Sequence, residues 1–496
     1  MSDERKERSM VWEGRHDRLF IGGRWVPAHG EHLRIVSPFT EEVIAEVPSA
    51  STGDIDRAVA AAREAFDKGP WPRMPVEERM AALRELRRLL AEHQEPLAQL
   101  ITDEMGCTIT QSRAIQVTHP VRVVDAYLDV APDYPFRSVR TAETGTALVT
   151  REPVGVVAAV VPWNVPVGIS VQKIVPAVLA GCTVVLKPAP QTALDAYFLG
   201  ELIERAGFPA GVVNIVPAER ESSEYLVTHR GVDKVSFTGS TAAGRRIAAL
   251  CGHDLRRVML ELGGKSAAIV LDDADLDRTV ESMRLGAFRN NGQVCTLKTR
   301  VLVSEARRAE LVERLRSLIG SMPVGDPHDE ATQIGPLFSQ RQRETVEHYI
   351  ATGRKEGATL VTGGGRPEGQ GRGWFVEPTL FTDVRPDMTI AQEEIFGPVL
   401  AVMAYRDEAE AVDIANNSPY GLSGAVFTAD ARHGLELASR MRTGVVELNG
   451  HPVGLSAPFG GFKASGIGRE HGPEGLDGYI ELRSIGLPPD LADSLA

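Results

Sequence analysis

The chain has 496 residues, 43% of them apolar and 24% charged, the proportions of an ordinary globular protein with room for two or three domains. A net charge of −13 with no basic patch argues against a nucleic-acid partner. Four cysteines (Cys107, Cys182, Cys251, Cys295) do not make a disulfide framework, no CxxC pair or histidine cluster suggests a metal, and no apolar run approaches the roughly 20 residues of a membrane helix.

Residues 1–18 read as a loose charged arm. Their start, Met1 to Arg8, lacks the apolar core of a secretion signal, so a reduced cytoplasmic location is expected. Ile55, Val59, Ala62 and Phe66 recur at helical spacing, as do Met80, Leu83, Leu86, Leu89 and Leu90, and predict two amphipathic helices. Arg137 to Arg151 alternates polar and β-branched residues and reads as an extended hairpin. From about Val154 short apolar runs alternate with helices. Strands are expected at Val156–Val161, Thr183–Leu186, Gly211–Val216 and Val232–Phe237. Helices are expected at Ile169–Ala180 and around Leu194–Ile203. That alternation means a parallel, doubly wound sheet. It restarts after Gly264 with a strand at Ala267–Leu271, a helix at Leu276–Phe288 and a strand at Val301–Val303, so a second α/β domain begins there. The glycine-rich stretch from Gly363 to Gly373 reads as a loop.

Two residue types carry chemistry. Cys295, in Asn290-Asn291-Gly292-Gln293-Val294-Cys295, follows a glycine-containing break after a helix, which can expose its thiol in a cleft. A thiolate can attack a carbonyl carbon, and a carboxylate such as Glu261, in Glu261-Leu262-Gly263-Gly264-Lys265, can deprotonate the water that releases the product. A buried structural cysteine and an ordinary strand-end glutamate are the plain alternatives. Phe237-Thr238-Gly239-Ser240-Thr241-Ala242-Ala243-Gly244 has the strand–turn–helix layout that binds a pyrophosphate. Gly239 lets the backbone turn, Ser240 caps the helix, and Gly244 allows close packing. Lys187 ends a strand, where ligands bind in such sheets. Asn164 lies just past another strand and offers an amide donor, though Pro166 nearby also suits a simple turn.

Taken in order, Pro162-Trp163-Asn164, Lys187-Pro188, the Phe237–Thr241 stretch, Glu261–Lys265, Cys295, Glu394-Ile395-Phe396-Gly397-Pro398 and Pro458-Phe459-Gly460-Gly461-Phe462-Lys463 resemble the NAD(P)-dependent aldehyde dehydrogenase superfamily, from roughly Leu19 to Ile485. The resemblance implies an α/β fold with a doubly wound Rossmann-like cofactor domain (1–130 and 154–263), a second α/β catalytic domain (264–465) and a β-arm for oligomerisation (131–153 and 466–496). It implies oxidation of a small aldehyde to a carboxylic acid, with Cys295 as nucleophile, Asn164 and the Cys295 N–H as oxyanion donors, Glu261 as base for hydrolysis and Lys173 helping to move protons. The cofactor is expected against Val161, Pro162, Trp163, Lys187, Pro190, Gly239, Ser240, Gly244, Glu261, Leu262, Gly263, Glu394 and Phe396. A homodimer or homotetramer is expected, with no membrane contact.

Two departures bear on specificity. NAD-preferring relatives often carry a glutamate where this chain has Pro190, and Arg220 could pair with a phosphate, so NAD is expected with NADP left open. Val165, Gln172 and Arg289 stand where aromatics are common, while Phe459 keeps one aromatic wall. This predicts a more polar pocket in which Arg289 and Gln172 greet a polar or anionic tail, unless Arg289 simply points to solvent. A coenzyme A-acylating semialdehyde dehydrogenase, a non-catalytic protein on the same fold and a thiol hydrolase remain as other readings. Glu261 counts against the first, intact Asn164, Glu261 and Cys295 against the second, and the lack of a histidine near Cys295 in sequence weakly against the third.

Overall fold

The computed structural model describes residues 16–488 and residue 491. Most of the charged arm expected over 1–18 lies outside them, as do residues 489–490 and 492–496.

Strand–helix alternation from Val154 onward builds an eight-stranded sheet. Its spatial order is Gly466–Ile467, Arg257–Glu261, Lys234–Thr238, Val156–Val160, Thr183–Lys187, Val213–Ile215, Leu19–Ile21 and Arg24–Val26. The five strands from Arg257–Glu261 to Val213–Ile215 are parallel, and antiparallel strands close both edges. Every residue of Val156–Val160 and Thr183–Lys187 is buried. Val157 and Ala159 belong to one core cluster and Val156, Ala158 and Val160 to another, so apolar side chains leave both faces. This is why the sequence shows runs rather than alternation. The helix Thr52–Asp67 covers one face through Ile55, Ala58, Val59 and Ala62. The helix Pro166–Ala180 covers the other. It opens on a proline, whose fixed φ suits a first turn, and it stops at Gly181, held at φ 99°.

A seven-stranded sheet follows in the order Thr359–Thr362, Thr379–Thr382, Val399–Tyr405, Arg300–Ser304, Ala267–Val270, Ser423–Phe427 and Val445–Leu448. All its neighbours are parallel except the first pair. It too is covered on both faces, Ala267 and Ile269 packing into one core and Ala268 and Val270 into the other. Fully burying a Val, Leu or Ile is worth roughly 1.5–3 kcal/mol, so each strand's register is fixed by two cores at once. Residues 363–373 carry no helix or strand.

The hairpin expected at Arg137–Arg151 is the pair Arg137–Ala142 and Gly145–Pro153, and Ile480–Leu487 adds a third strand. The C-terminal segment does not go straight to this arm. Gly466–Ile467 first joins the edge of the eight-stranded sheet, because Gly466 (φ 145°) brings its backbone against Leu260 and Glu261. The chain reverses order in the eight-stranded sheet between Val156–Val160 and Lys234–Thr238. The carboxyl ends of strands at such a switch point form a crevice, and the segments Val161–Asn164 and Gly239–Ser240 leave from that point.

Candidate active site

Cys295 is presented by an unusual turn. After the helix Leu276–Phe288, Asn290 (φ 54°, ψ 41°), Asn291 (φ 58°, ψ 30°) and Gly292 (φ 79°) are all left-handed. Asparagine tolerates this conformation better than most residues, and both side chains here help to hold it through hydrogen bonds. Asn291 Nδ2 donates to the Gly106 and Pro336 carbonyls at 2.9 Å each, and its Oδ1 accepts the Gly335 N–H at 2.7 Å. Asn290 Nδ2 donates to the Asn164 carbonyl at 2.9 Å. A Cβ at Gly292 would lie 2.1 Å from the Gly397 carbonyl carbon, so only glycine fits. The turn therefore ties three distant segments together and leaves Cys295, partly exposed, on the wall of a cavity of about 290 Å³. Burial pushes its thiol up to about 12. The Glu394 and Glu261 carboxylates add to this, and Arg289 opposes them.

Glu261 reaches the same cavity from the end of its strand. It is 3% exposed, and neither carboxylate oxygen has a hydrogen-bond partner among the described residues. Burial, then the nearby Glu470 charge, raises its carboxyl well above the usual range, while Lys173 and Arg469 pull it down. Gly263 and Gly264 have a packing reason. Their absent side chains admit Glu394 Oε2, 2.3 Å from a Cβ at 263, and the Cys295 carbonyl, 2.4 Å from one at 264. Asn164 is buried, and its Nδ2 donates to the Gln293 carbonyl at 2.9 Å, which leaves one of its two amide hydrogens. Lys173 is fully buried, donating to Glu470 Oε1 at 2.8 Å and Ser236 Oγ at 3.2 Å.

The crevice expected to hold a dinucleotide is built from backbone and close packing. Ser240 caps the helix Thr241–His253 by accepting the Ala243 N–H, and a Cβ at Gly244 would meet Leu262 Cδ2 at 2.4 Å. Gly239 is not left-handed. Its absent side chain instead makes room for the Phe237 ring, 2.5 Å from where a Cβ would sit. The Leu262 N–H and the Gly263 carbonyl are both fastened to Ser465. Val161 N–H donates to the Lys187 carbonyl at 3.1 Å. Burial lowers the Lys187 ammonium to about 8, with Glu219 pulling it back up. Pro190 opens a short helical turn, and Arg220 is exposed at the start of the helix Arg220–Thr228. Trp163 stacks on Phe338 at 4.1 Å and meets Phe396 edge-on at 5.5 Å, with Pro162 beside it in sequence. Glu394 accepts the Gly264 N–H at 3.0 Å, and burial raises its carboxyl to about 7. A buried cation at a strand end, a capped helix start, a glycine-lined backbone and an aromatic pair fit a dinucleotide.

Val165, Gln172, Arg289 and Phe459 all line the cavity. Gln172 is not free to greet a substrate: its Nε2 is bonded to Glu470 Oε2 and its Oε1 faces His119 Nε2 at 3.2 Å. Arg289 faces inward rather than to solvent, where burial lowers it and Glu447 is the first charge that steadies it. Most of the remaining lining is apolar, including Ile115, Ile169, Val294, Val445 and Leu455. His119, Glu447, Glu470, His471 and a second thiol, Cys107, also reach it. No local pattern marks these residues, and the only signal for Glu470 was the need of a buried Lys173 for a counter-charge.

Comparison with known proteins gives concordant matches. The family model described as "Aldehyde dehydrogenase family" matches residues 25–485. Geranial dehydrogenase of Castellaniella defragrans is 45% identical over 95% of this chain and 98% of its own length. Among solved structures, the Mycobacterium tuberculosis aldehyde dehydrogenase complexed with NAD+ superposes with a TM-score of 0.94 at 44% identity, covering 95% of this chain and 98% of that one. A Pseudomonas syringae aldehyde dehydrogenase C variant complexed with NAD+ and octanal gives 0.92 at 40%, covering 95% and 96%.

Proposed function

Because the chain belongs to the aldehyde dehydrogenase family, we propose that it oxidises an aldehyde to the free carboxylic acid through a covalent adduct on Cys295. The observation that carries this reading is that Cys295 and Glu261 line one cavity, beside a crevice with the features of a dinucleotide site. The Cys295 thiol gives up its proton to solvent, and the thiolate Sγ attacks the aldehyde carbon. The C–S bond forms, the carbonyl electrons move to oxygen, and the remaining Asn164 amide hydrogen and the Cys295 N–H hold the resulting oxyanion. A dinucleotide held in the crevice would supply the hydride acceptor for the aldehyde hydrogen, so that Cys295 would be left carrying an acyl group on its sulfur. Glu261 then takes a proton from water, the water oxygen attacks the acyl carbon, and the C–S bond breaks to return the thiolate. The Lys173 and Arg469 charges help Glu261 lose the proton it holds when buried, against the Glu470 carboxylate, which Lys173 partly neutralises at 2.8 Å.

Lys187 and Glu394 would hold the two riboses, the Gly239–Gly244 turn the pyrophosphate, and Phe396 the nicotinamide side. NAD is the proposed cofactor. The relatives of known structure named above hold NAD+, and Glu219 brings to Lys187 the negative charge that Pro190 does not supply. Such a charge repels a 2′-phosphate. Glu261 in the cavity favours water over coenzyme A as acceptor. A mainly apolar cavity of about 290 Å³ suits a small or medium aldehyde, and geranial and octanal appear among the relatives' substrates and ligands by name. Four unpaired cysteines suit a reduced compartment such as the cytoplasm.

An aldehyde panel run in parallel with NAD and NADP tests this. Reduced dinucleotide and free acid should form without coenzyme A, faster with NAD, and Cys295→Ala should lower kcat by about 10³-fold or more. Undiminished turnover in Cys295→Ala, or no response to either dinucleotide, would refute it.

A further inference from the structure

His471 is placed in an unfavourable backbone conformation, φ 62° and ψ 163°, a region almost confined to glycine. Three hydrogen bonds hold it there: its N–H donates to Tyr127 Oη at 3.1 Å, its carbonyl accepts the Gly475 N–H at 2.8 Å, and Gly472 N–H donates to the Leu455 carbonyl at 3.2 Å. The result is an imidazole on the cavity wall, 8% exposed, whose Nε2 has no hydrogen-bond partner among the described residues. Its ring lies 5.7 Å from Phe459 and 6.3 Å from His119. Burial lowers it to about 4, so it is uncharged at neutral pH.

His119 is poised as well. The Glu470 carboxylate can only accept, so the Gln172 bond to it must come from Nε2, which turns Gln172 Oε1 toward His119. Oε1 can only accept in turn, so His119 Nε2 carries the proton and its Nδ1 keeps a lone pair. Two neutral imidazoles therefore share one wall. Arg289 balances its charge against Glu447.

We propose that His471, with His119 beside it, is a specificity-determining residue that hydrogen-bonds a neutral oxygen, a hydroxyl or ether, on the tail of the aldehyde. This rests on the aldehyde-oxidising reading above. An uncharged ring offers one N–H and one lone pair, which match a hydroxyl. An anionic tail would gain little from it. A buried polar atom held without a protein partner also penalises substrates that leave it unpaired, so discrimination comes from both sides.

The test is steady-state kinetics on matched pairs: para-hydroxybenzaldehyde against para-methylbenzaldehyde, and ω-hydroxyalkanals of several lengths against the parent alkanals. Wild type should favour at least one hydroxylated member by about tenfold in kcat/KM. His471→Leu should erase that ratio and His471→Asn keep part of it. Leucine is strained at this φ, so His471→Gly is the second variant. It should raise the melting temperature, because the strain is relieved, and still erase the ratio. A wild-type ratio near one across the panel, or a ratio that survives in both His471→Leu and His471→Gly, overturns the proposal. Turnover of the parent aldehydes without any preference removes this inference alone. No turnover of any aldehyde removes the enzymatic reading with it.

Discussion

Burial and the two carboxylates, Glu394 and Glu261, together keep the Cys295 thiol protonated at neutral pH, and Arg289 is the charge that opposes them. Alkylation requires the thiolate, whose fraction rises about tenfold per pH unit below the thiol's own value. An ordinary cysteine, near 8.5, would level off above about pH 9. Inactivation of the dinucleotide-free protein by iodoacetamide should therefore be slow at neutral pH and still climbing through about pH 9.5. Arg289→Ala removes the favourable charge, pushes the thiol higher and slows inactivation at every pH in that range. A plateau at or below about pH 8.5, or faster inactivation in the variant, would contradict this account. Dinucleotide binding that engages Glu394 would also draw one unfavourable charge away from the sulfur. At this scale Cys295 and Glu261 were singled out by the ordered set of family-like motifs they belong to, since a lone cysteine and a lone glutamate carry little by themselves. The partners were not: Lys173 and Glu470 are 297 residues apart, and Gln172 and Glu470 are 298.

Elements set where the sulfur stands. The left-handed run Asn290–Gly292 holds Cys295 on the cavity wall because Asn291 bonds to Gly106, Gly335 and Pro336. Asn291→Ala deletes three buried hydrogen bonds and puts alanine in a left-handed conformation. At about 1 kcal/mol for each bond plus 1–2 kcal/mol for the backbone, the loss is roughly 4 kcal/mol. Denaturant titration should report that loss. Assays on the folded fraction should show kcat falling by about tenfold or more while dinucleotide affinity changes little, since the crevice lies on other elements. Unaltered stability would show that the turn is held by something else. The helices and strands around it were readable because runs such as Val156–Val160 and stop signals such as Gly181 act locally. The Asn-Asn-Gly turn was visible only as a break, since the segments that pin it come from elsewhere in the chain.

The whole molecule places the cavity between the carboxyl end of one sheet, at Glu261 and Thr238, and the starts of two strands of the other, at Ser423 and Val445. The three-stranded sheet stands apart from both. Leu482 and Ile485 are 64% and 43% exposed on its Ile480–Leu487 strand, and Arg137–Ala142 is an open edge. Exposed apolar groups and unpaired strand edges favour association, so we propose that this arm joins identical subunits into a dimer or tetramer. Light scattering after size exclusion should give a multiple of the chain mass for wild type and a smaller species for Leu482→Glu combined with Ile485→Glu. An identical mass for both would remove the arm from assembly.

By itself the sequence determined the succession of strands and helices, the two sheets they build, and the presence of a thiol at Cys295 and a carboxylate at Glu261. Those properties follow from periodicity, turn residues and side-chain type, which operate over a few residues. Only the tertiary structure decided which polar groups face the cavity and in what state: a protonated thiol at Cys295, a raised carboxyl at Glu261, an occupied Gln172, an inward Arg289 and an unpartnered His471. Burial and charge depend on neighbours hundreds of residues away, and no local pattern carries that information.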